Sequence, residues 1–471
     1  MLLLLLLLLL DHMKRADTIY GLSTPFGKSG IAIIKLSGPN SLKIIRDLKF
    51  DKVIKERCAI LGRIYDRNLD VIDEIIVIYY SKNNSYTGED VVELQTHGSP
   101  AVINSIFNEL ALLRYVRIAE NGEFTRRSFE NNKISLNKAE SILELINAET
   151  EYQRKIAIRN YNGELEKSYS SWRHDIINLL SISEAYIDFP DDLLNNNEIN
   201  SFNAEIKKLE AKLVLCVENF CTGSKMINGI NICIAGNTNV GKSTLMNILS
   251  NSDTSIVSNI HGTTRDIIKS RIEIEGVSVL LHDIAGIRKT NNQVELIGIN
   301  KGKNAIKNAD ILVIVIDIDS IEDTNIFNEI NKIADSRCPK LIIVNKIDLH
   351  QVDGKKKKAF VERLSRLHFI YRELIYVSLI DIQYNKYILK KLTNIVSSFI
   401  PLSSSFLVTN TRHQEIIKRT IFFLQKSIKH SNLELKSEEL RYASHELEFL
   451  LGKVEQEEIL DKIFSNFCIG K

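Results

Sequence analysis

The segment Gly236–Ser243 limits the possible folds of this chain more than any other feature. It places two glycines, a lysine and a serine in the order Gly-Asn-Thr-Asn-Val-Gly-Lys-Ser, directly after the apolar run Ile230–Ala235. Glycines let the backbone curl so that its N–H groups converge, and the N-terminus of a following helix favours negative charge. The pattern predicts a phosphate-binding loop between a buried strand and a helix, with Lys242 reaching the β- and γ-phosphates and Ser243 binding Mg²⁺.

Three more apolar runs follow, and they predict the sheet to which this loop belongs. They are Ser278–Leu281, Ile311–Asp317 and Leu341–Val344. Short runs of this kind are typical of strands buried on both faces of a parallel sheet with helices on either side. We therefore expect an α/β domain from Gly229 to about Ile400.

Three short motifs lie downstream of the loop in the order that a GTP site requires. Thr263 and Thr264 could complete a Mg²⁺ shell, and the Asp283-Ile-Ala-Gly286 turn could contact Mg²⁺ through water and the γ-phosphate through Gly286 N–H. In Asn345-Lys-Ile-Asp348, the Asp348 carboxylate can accept two hydrogen bonds from guanine that adenine cannot offer. Together with the loop, these motifs predict a site for GTP.

The residue that orients the attacking water is not a glutamine beside the turn, because Ile287 follows Gly286. Many GTPases have a glutamine soon after this glycine. Glu295 lies nearby in a polar stretch and is our candidate for the role, with Lys242 as the second catalytic residue. From the residues alone, an ordinary exposed charge is the default explanation for Glu295.

Outside the predicted α/β domain, the sequence pattern indicates two other kinds of structure. Strands are predicted at Ile31–Leu36, Ile60–Tyr65 and Glu74–Tyr80 and a helix at Ala101–Leu113, which indicates an N-terminal α+β domain. Apolar residues at helical spacing then recur in 136–220 and again in 405–471, where Ser437 is placed to cap the last stripe. The stripes comprise Trp172, Ile176, Leu179 and Ser183; Ile206, Leu209, Leu213, Cys216 and Phe220; Ile417, Ile421, Leu424 and Ile428; and Leu440, Ala443, Leu447 and Leu450.

The two helical stretches flank the α/β block, so we expect them to bury each other's stripes, with the nucleotide domain inserted between them. The predicted fold is therefore multidomain α/β plus α. It comprises an N-terminal α+β domain (17–130), a helical domain (131–224 and 402–471) and an inserted Ras-like P-loop domain (225–401).

Composition limits which partners, metal sites and membrane segments the chain can have. The net charge is only +2, so a nucleic-acid partner would need a local patch such as Lys355–Lys358, for which a solvated loop or helix face is the simpler explanation. None of the six cysteines forms a Cys-x-x-Cys pair, which argues against zinc or disulfides and suits a reducing cytoplasm. The run Leu2–Leu10 is shorter than the roughly 20 residues that span a membrane, and we expect residues 1–16 to be an extension without function.

With these motifs in place, the chain resembles the MnmE (TrmE) family of tRNA-uridine-modifying GTPases from Asp17 to Lys471. The ending Phe467-Cys-Ile-Gly-Lys471 is its most specific marker, because ordinary GTPases do not end this way. The other markers are Asp17-Thr-Ile, Leu36-Ser-Gly-Pro, Ser85-Tyr-Thr-Gly-Glu-Asp, Gly122-Glu-Phe-Thr-Arg-Arg and Ile187-Asp-Phe-Pro.

The resemblance implies a homodimer formed through a folate-binding N-terminal domain. It implies a flavin-containing partner, the MnmG (GidA) protein, in a heterotetramer. Together the two proteins would modify C5 of the tRNA wobble uridine, with a tetrahydrofolate derivative as one-carbon donor, FAD on the partner, and GTP hydrolysis stimulated by K⁺ and G-domain pairing.

Residue by residue, the resemblance implies catalytic, metal-binding, folate-binding and GTP-binding positions. Glu295 would orient the water, and Cys468 is a family feature whose role stays open. Mg²⁺ would bind Ser243 and Thr264, and K⁺ would bind Asn239, Ser258, Ile260 and Thr263. Folate would contact Lys35, Glu93, Lys133 and Lys471. The GTP-binding set is Asn239, Val240, Gly241, Lys242, Ser243, Thr244, Ser258, Asn259, Ile260, His261, Gly262, Thr263, Thr264, Asp283, Ile284, Ala285, Gly286, Asn345, Lys346, Asp348 and Ser378.

Two departures from the family pattern bear on binding. Lys35 stands where an arginine is usual, which weakens bidentate recognition. Ser378-Leu-Ile380 stands where Ser-Ala-Lys is expected, so a lysine stem can no longer pack on the base and we expect somewhat weaker guanine binding.

Two other functions stay open at this point. A ribosome-assembly type of GTPase switch would share the nucleotide motifs but not the N-terminal domain or the Cys-Ile-Gly-Lys end. A scaffold in which GTP only controls dimerisation is disfavoured by the presence of Glu295 and Asn239.

Overall fold

The computed structural model describes residues 17–188, 196–250, 268–284, 302–349, 353–400, 408–452 and 457–471. These residues form two compact units. The first contains the described parts of 1–146, 158–181 and 441–471, and the second those of 147–157 and 182–440. Within the described ranges, no helix is long and apolar enough to cross a membrane.

The first unit is built on a six-stranded sheet. Its strands run in the order β3-β4-β5-β2-β1-β6, and all neighbours are antiparallel except the parallel pair β1 and β6. The three strands predicted from sequence are confirmed as β2, β3 and β4. The bounds are β1 Thr18–Leu22, β2 Ser29–Ser37, β3 Ile60–Tyr65, β4 Val71–Tyr80, β5 Val91–Gly98 and β6 Val116–Ile118.

Two helices, Ser41–Asp47 and Pro100–Ala111, contribute buried residues to the main core of this sheet. The predicted helix near residue 101 is confirmed: Pro100 occupies its first turn, and the Ser99 side chain caps it by accepting from Ala101 N–H. Its buried face joins the sheet core. The bounds are α1 Ser41–Asp47, α2 Pro100–Ala111, α3 Glu123–Glu130, α4 Leu136–Ile146, α5 Glu151–Tyr161 and α6 Glu164–Asp188.

The second unit contains the predicted parallel sheet. The order is β12-β11-β10-β7-β9-β8, and only β8 is antiparallel to its neighbour. Separate hydrophobic clusters cover its two faces, which explains why the strands are continuous apolar runs. The bounds are β7 Ile230–Gly236, β8 Ile268–Ile274, β9 Val277–Asp283, β10 Ile311–Asp317, β11 Lys340–Asn345 and β12 Glu373–Tyr376.

Helices flank this sheet and extend beyond it. Helices α7 and α13 pack on each other, as expected for the helical stretches on either side of the α/β block. The remaining bounds are α7 Asn196–Glu218, α8 Phe220–Asn228, α9 Lys242–Ser250, α10 Asn325–Ile333, α11 Gly354–Arg366, α12 Gln383–Ser397, α13 Thr411–Lys429, α14 Leu433–Leu450 and α15 Glu457–Phe464.

The predicted helical stripes are buried. Every member of the stripes that begin at Trp172, Ile206 and Leu440 is less than 9% exposed. In the stripe of α13, Ile417 and Leu424 are fully buried, whereas Ile421 and Ile428 are half-buried.

The predicted capping role of Ser437 is wrong. Helix α14 begins at Leu433, and the Asn432 carboxamide oxygen just before it accepts from Glu434 N–H at 2.7 Å. Ser437 lies one turn inside the helix, where its hydroxyl is 2.7 Å from Ser183 Oγ and 3.0 Å from Leu433 O, within hydrogen-bonding distance of both. An earlier acceptor already satisfies the helix start, so the serine is free to link two helices.

Candidate functional site

The loop after β7 takes the shape that its glycines permit. Gly241 has a φ of +106° and Asn239 one of +63°, both in the left-handed region. A Cβ on Gly236 would lie 2.3 Å from Val315 O, and one on Gly241 would lie 2.4 Å from Asn345 Nδ2. Larger residues would therefore push the loop away from β10 and β11, and helix α9 begins at Lys242 directly after it.

The lysine of the loop is folded back onto its own backbone. Lys242 Nζ donates to Gly236 O at 3.0 Å and to Asn237 O at 2.7 Å. Val240 is buried and anchors the loop, whereas Asn239 is exposed. A phosphate could replace the neutral carbonyls as the partner of this ammonium and form stronger, charge-assisted hydrogen bonds.

The carboxyl ends of the parallel strands bring the other motifs to one edge. Asp283 ends β9 and lies beside Ile234 of β7, while Asn345 ends β11 and lies beside Asp317 of β10. Ligands of open α/β sheets bind at this edge. The register therefore gathers residues that lie more than a hundred positions apart in the chain.

Asn345 connects three of the predicted segments. It is only 4% exposed; its Nδ2 donates to Val240 O at 2.8 Å, and its Oδ1 accepts from Leu379 N–H at 2.9 Å. One carboxamide thus joins the phosphate loop to the loop that follows β12. The sequence assigned Asn345 to the nucleotide but did not reveal this bridging role.

Asp317 is a residue of the site that the sequence analysis missed. Its carboxylate accepts from Ser320 N–H at 2.8 Å and pairs with Lys346 Nζ at 3.4 Å. Burial raises its pKa, but the Ser320 hydrogen bonds and the Lys346 charge outweigh this, so the pKa is lowered. The ion pair positions the Lys346 side chain, whose backbone φ is +63°. The position of Asp317 at the end of the apolar run Ile311–Asp317 is the sequence feature that could have identified it.

The residues predicted to recognise the base lie on the two loops that follow the neighbouring strands β11 and β12. Asp348 is exposed, so its carboxylate is accessible to a base, and Ser378 is 4% exposed in the loop after β12. Leu379 is also 4% exposed and packs beside Gly241, whereas Ile380 is 82% exposed. Of the two residues that depart from the family pattern, Leu379 is therefore a core residue and Ile380 a surface residue.

Part of the predicted site lies outside the described residues. This applies to Ser258, Asn259, Ile260, His261, Gly262, Thr263, Thr264, Ala285, Gly286 and Glu295. Ile284 is described: it is buried, and its N–H donates to Ile234 O at 3.1 Å.

A second set of predicted residues meets in the first unit. Lys35 and Glu93 are paired across β2 and β5, with Lys35 Nζ 3.9 Å from Glu93 Oε1. Burial lowers the pKa of Lys35, the Glu93 charge opposes this and the nearby Lys471 adds to it. Lys133 Nζ donates to Asn83 O at 2.9 Å. The side chains of Lys35 and Glu93 line a cavity of about 240 Å³. Its other lining residues are Tyr80, Asn84, Tyr86, Thr87, Val91 and Phe124.

The final residues of the chain are held beside this cavity by backbone packing. Ser23 Oγ donates to Gly470 O at 2.7 Å, and Gly470 has a φ of +87°. A Cβ on Gly470 would lie 2.3 Å from Leu22 O, so only glycine fits. Cys468 is exposed, and its carbonyl accepts from Gly122 N–H at 3.4 Å. The aromatic lining (Tyr80, Tyr86 and Phe124) was not predicted from sequence.

We predict that Ile380→Lys strengthens guanine-nucleotide binding by about two- to fivefold. A lysine stem can pack on the base at this exposed position, and contacts of this kind are worth about 0.5–1 kcal/mol. Leu379 must stay, because its side chain is buried against the phosphate loop. The measurement is a GDP titration by calorimetry. Ile382→Lys is the control, since Ile382 is 79% exposed; equal affinities in the two variants would contradict the prediction.

The chain matches two family profiles and many full-length relatives. A profile described as the MnmE helical domain matches residues 136–468, and one described as the N-terminus of the GTP-binding protein TrmE matches residues 18–133. A tRNA modification GTPase MnmE of Rickettsia akari (strain Hartford) is 36% identical over 457 residues, which are 97% of this chain and 100% of the relative.

A second relative, the tRNA modification GTPase MnmE of Ehrlichia ruminantium (strain Gardel), is 40% identical over 463 residues, again 97% of this chain and 100% of the relative. Among solved structures, a tyrosine-to-alanine variant of Aquifex aeolicus Era bound to GDP and AlF₄⁻ is 17% identical; the match covers 47% of this chain and 89% of Era, with a TM-score of 0.29. The full-length relatives and the two profiles show that the chain belongs to the MnmE family of tRNA modification GTPases.

Proposed function

We propose that this chain hydrolyses GTP within a system that modifies C5 of the wobble uridine, U34, of tRNA. The observation that carries the GTP part is the Asn345 carboxamide, which holds the phosphate loop and the Ser378–Leu379 loop together. Asp348 would accept hydrogen bonds from guanine, and the Ser378 backbone N–H would donate to the guanine oxygen. The tRNA part is supported by the full-length relatives, which are named for tRNA modification.

Mg²⁺ fits the chemistry of the residues around the loop. Ser243 presents its hydroxyl in the first turn of α9, and Asp283 ends the neighbouring strand β9. Mg²⁺ prefers oxygen ligands of this kind together with phosphate oxygens and water. We propose Ser243 and Thr264 as its protein ligands, with Asp283 acting through water. The ion would neutralise charge on the phosphates.

We also propose that K⁺ stimulates hydrolysis. Asn239 is exposed at a φ of +63° within the phosphate loop, a position from which its side chain can reach an ion beside the phosphates. The proposed ligands are Asn239, Ser258, Ile260 and Thr263, and Glu295 would orient the attacking water. A cation there stabilises charge that develops in the transition state. Pairing of two G domains would order these loops.

The cavity of the first unit suits a reduced folate. Tyr80, Tyr86 and Phe124 offer aromatic surface for a pterin ring, and Glu93 offers a carboxylate for its N–H edge. Lys35 and Lys471 supply positive charge for the glutamate tail, and Lys133 lies on the adjoining loop. We propose this cavity as the site of the one-carbon donor. The role of Cys468 stays open.

The remaining parts of the proposal concern organisation. We propose a homodimer formed through the N-terminal domain, a heterotetramer with an MnmG-type flavoprotein that carries FAD, and a cytoplasmic location. The proposed domains are 17–130, 131–224 with 402–471, and the inserted 225–401.

Hydrolysis should be at least about tenfold faster in KCl than in NaCl at equal ionic strength, because charge stabilisation by a fixed cation can exceed that factor elsewhere. Phosphate release by the purified full chain is the measurement. Asn239→Ala should remove the difference and leave the rate in NaCl unchanged. Equal rates in both salts for the parent chain would refute the role of K⁺.

Modification itself is tested by nucleoside mass spectrometry of tRNA from a bacterial strain that lacks its own MnmE. We expect expression of this chain to restore C5-modified wobble uridine. Lys35→Gln should reduce it because it removes the half-buried cation of the cavity, whereas Lys28→Gln, at an exposed position just before the same strand, should not. Unmodified uridine in every strain, with GTP hydrolysis intact, would contradict the proposal.

A further inference from the structure

Helix α11 concentrates positive charge. It contains four lysines and two arginines against one glutamate, in a chain whose net charge is only +2. The four lysines, Lys355–Lys358, are all exposed, as is Arg366. Phe360 and Leu364 are buried and fix the inner side of the helix. At 100° per residue, Lys355, Lys358 and Arg366 fall on the opposite, outer side.

Few of these charges are paired within the part of the chain that the structure describes. Lys357 lies over the Tyr376 ring at 4.7 Å, and Arg363 lies 3.9 Å from Glu322. Lys355, Lys356, Lys358 and Arg366 form no ion pair within 4.0 Å with any described residue. We call the three that lie on the outer side, Lys355, Lys358 and Arg366, the lysine face.

The two lysines of the lysine face are unfavourable for the helix that carries them, because they lie in its first turns. The first turn contains no acidic residue, and the Asp353 side chain before it accepts from Lys355 N–H at 3.5 Å. Cations at a helix N-terminus oppose the helix dipole, and the like charges of Lys355 and Lys358 repel each other at i,i+3. An anionic partner would relieve both effects.

We propose that the lysine face binds the phosphate backbone of tRNA. The inference rests on the proposed function for the identity of the nucleic acid. Lysine is depleted in protein–protein interfaces, whereas lysine and arginine supply many of the phosphate contacts in nucleic-acid complexes. A row of point charges without groups that read base edges contacts any tRNA, so the face contributes affinity and position without sequence preference.

The test compares two charge-matched variants of the full chain. Lys355→Gln with Lys358→Gln removes two charges from the lysine face. Lys386→Gln with Lys390→Gln removes two exposed charges from α12 of the same unit. Binding of a labelled tRNA transcript is measured by anisotropy over a range of KCl concentrations, with labelled poly-glutamate as a second probe. Basal GTP hydrolysis should be unchanged in both variants.

We expect the first variant to bind tRNA on the order of tenfold more weakly and to lower the salt slope by about 2, because each lysine neutralises about one phosphate. The control variant, Lys386→Gln with Lys390→Gln, should change neither the tRNA affinity nor the salt slope by much. Equal reductions in both variants, or no reduction in either, would overturn the proposal. Unchanged tRNA binding together with abolished poly-glutamate binding would also overturn it, in favour of an acidic protein partner.

This outcome is separable from that of the proposed function, because binding is measured without folate or flavoprotein. Binding that depends on Lys355 and Lys358, in a chain that fails to restore modified uridine, would keep the lysine face and reject the modification role. If the chain restores modified uridine but its tRNA binding is unchanged when Lys355 and Lys358 are replaced, the role of the lysine face is rejected and the proposed function is kept.

Discussion

The nucleotide site depends on one buried carboxamide. Asn345 donates to Val240 O and accepts from Leu379 N–H, so both of its polar atoms are satisfied by backbone groups of other loops. In a buried setting, removal of one partner leaves a donor or acceptor unsatisfied, at a cost of about 1–3 kcal/mol for each group. The positions of the phosphate loop and of the base-side loop are therefore set by the same side chain. Gly241 permits this contact, because a Cβ there would collide with the amide.

The first unit uses backbone packing for a comparable purpose. Gly470 fits against Leu22 O only because it lacks a side chain, and this places Lys471 close enough to Lys35 to help lower its pKa. The last residues of the chain thus lie against a cavity whose walls come from the N-terminal part. In this chain, the Cys-Ile-Gly-Lys segment is therefore held by contacts with the N-terminal part.

Local patterns predicted a large part of the architecture. The strands β7, β9, β10 and β11 were identified because burial on both faces makes them continuous apolar runs, and the loop glycines because their backbone geometry excludes other residues. Strands β1, β5, β6, β8 and β12 were missed, since their pairing is set by distant neighbours and not by local period. Ser437 was misassigned because a cap depends on where the helix starts, which Asn432 decides.

Within the candidate sites, the sequence predicted residues for the chemistry but did not predict the residues that position them. Asp348 and Lys242 belong to motifs with fixed spacing. Asp317, Leu379 and the aromatic lining of the cavity act through contacts that exist only after folding, so their roles could not be read from local sequence.

The most direct test of the role of Asn345 measures how Asn345→Ala binds two ligands, GDP and inorganic tripolyphosphate, which lacks the base. If the carboxamide sets both loops, each ligand should bind at least about tenfold more weakly, in proportion to an unsatisfied buried group of about 1.4 kcal/mol or more. Weaker GDP binding with unchanged tripolyphosphate binding would show that Asn345 serves the base side alone, and would contradict a shared role for this side chain.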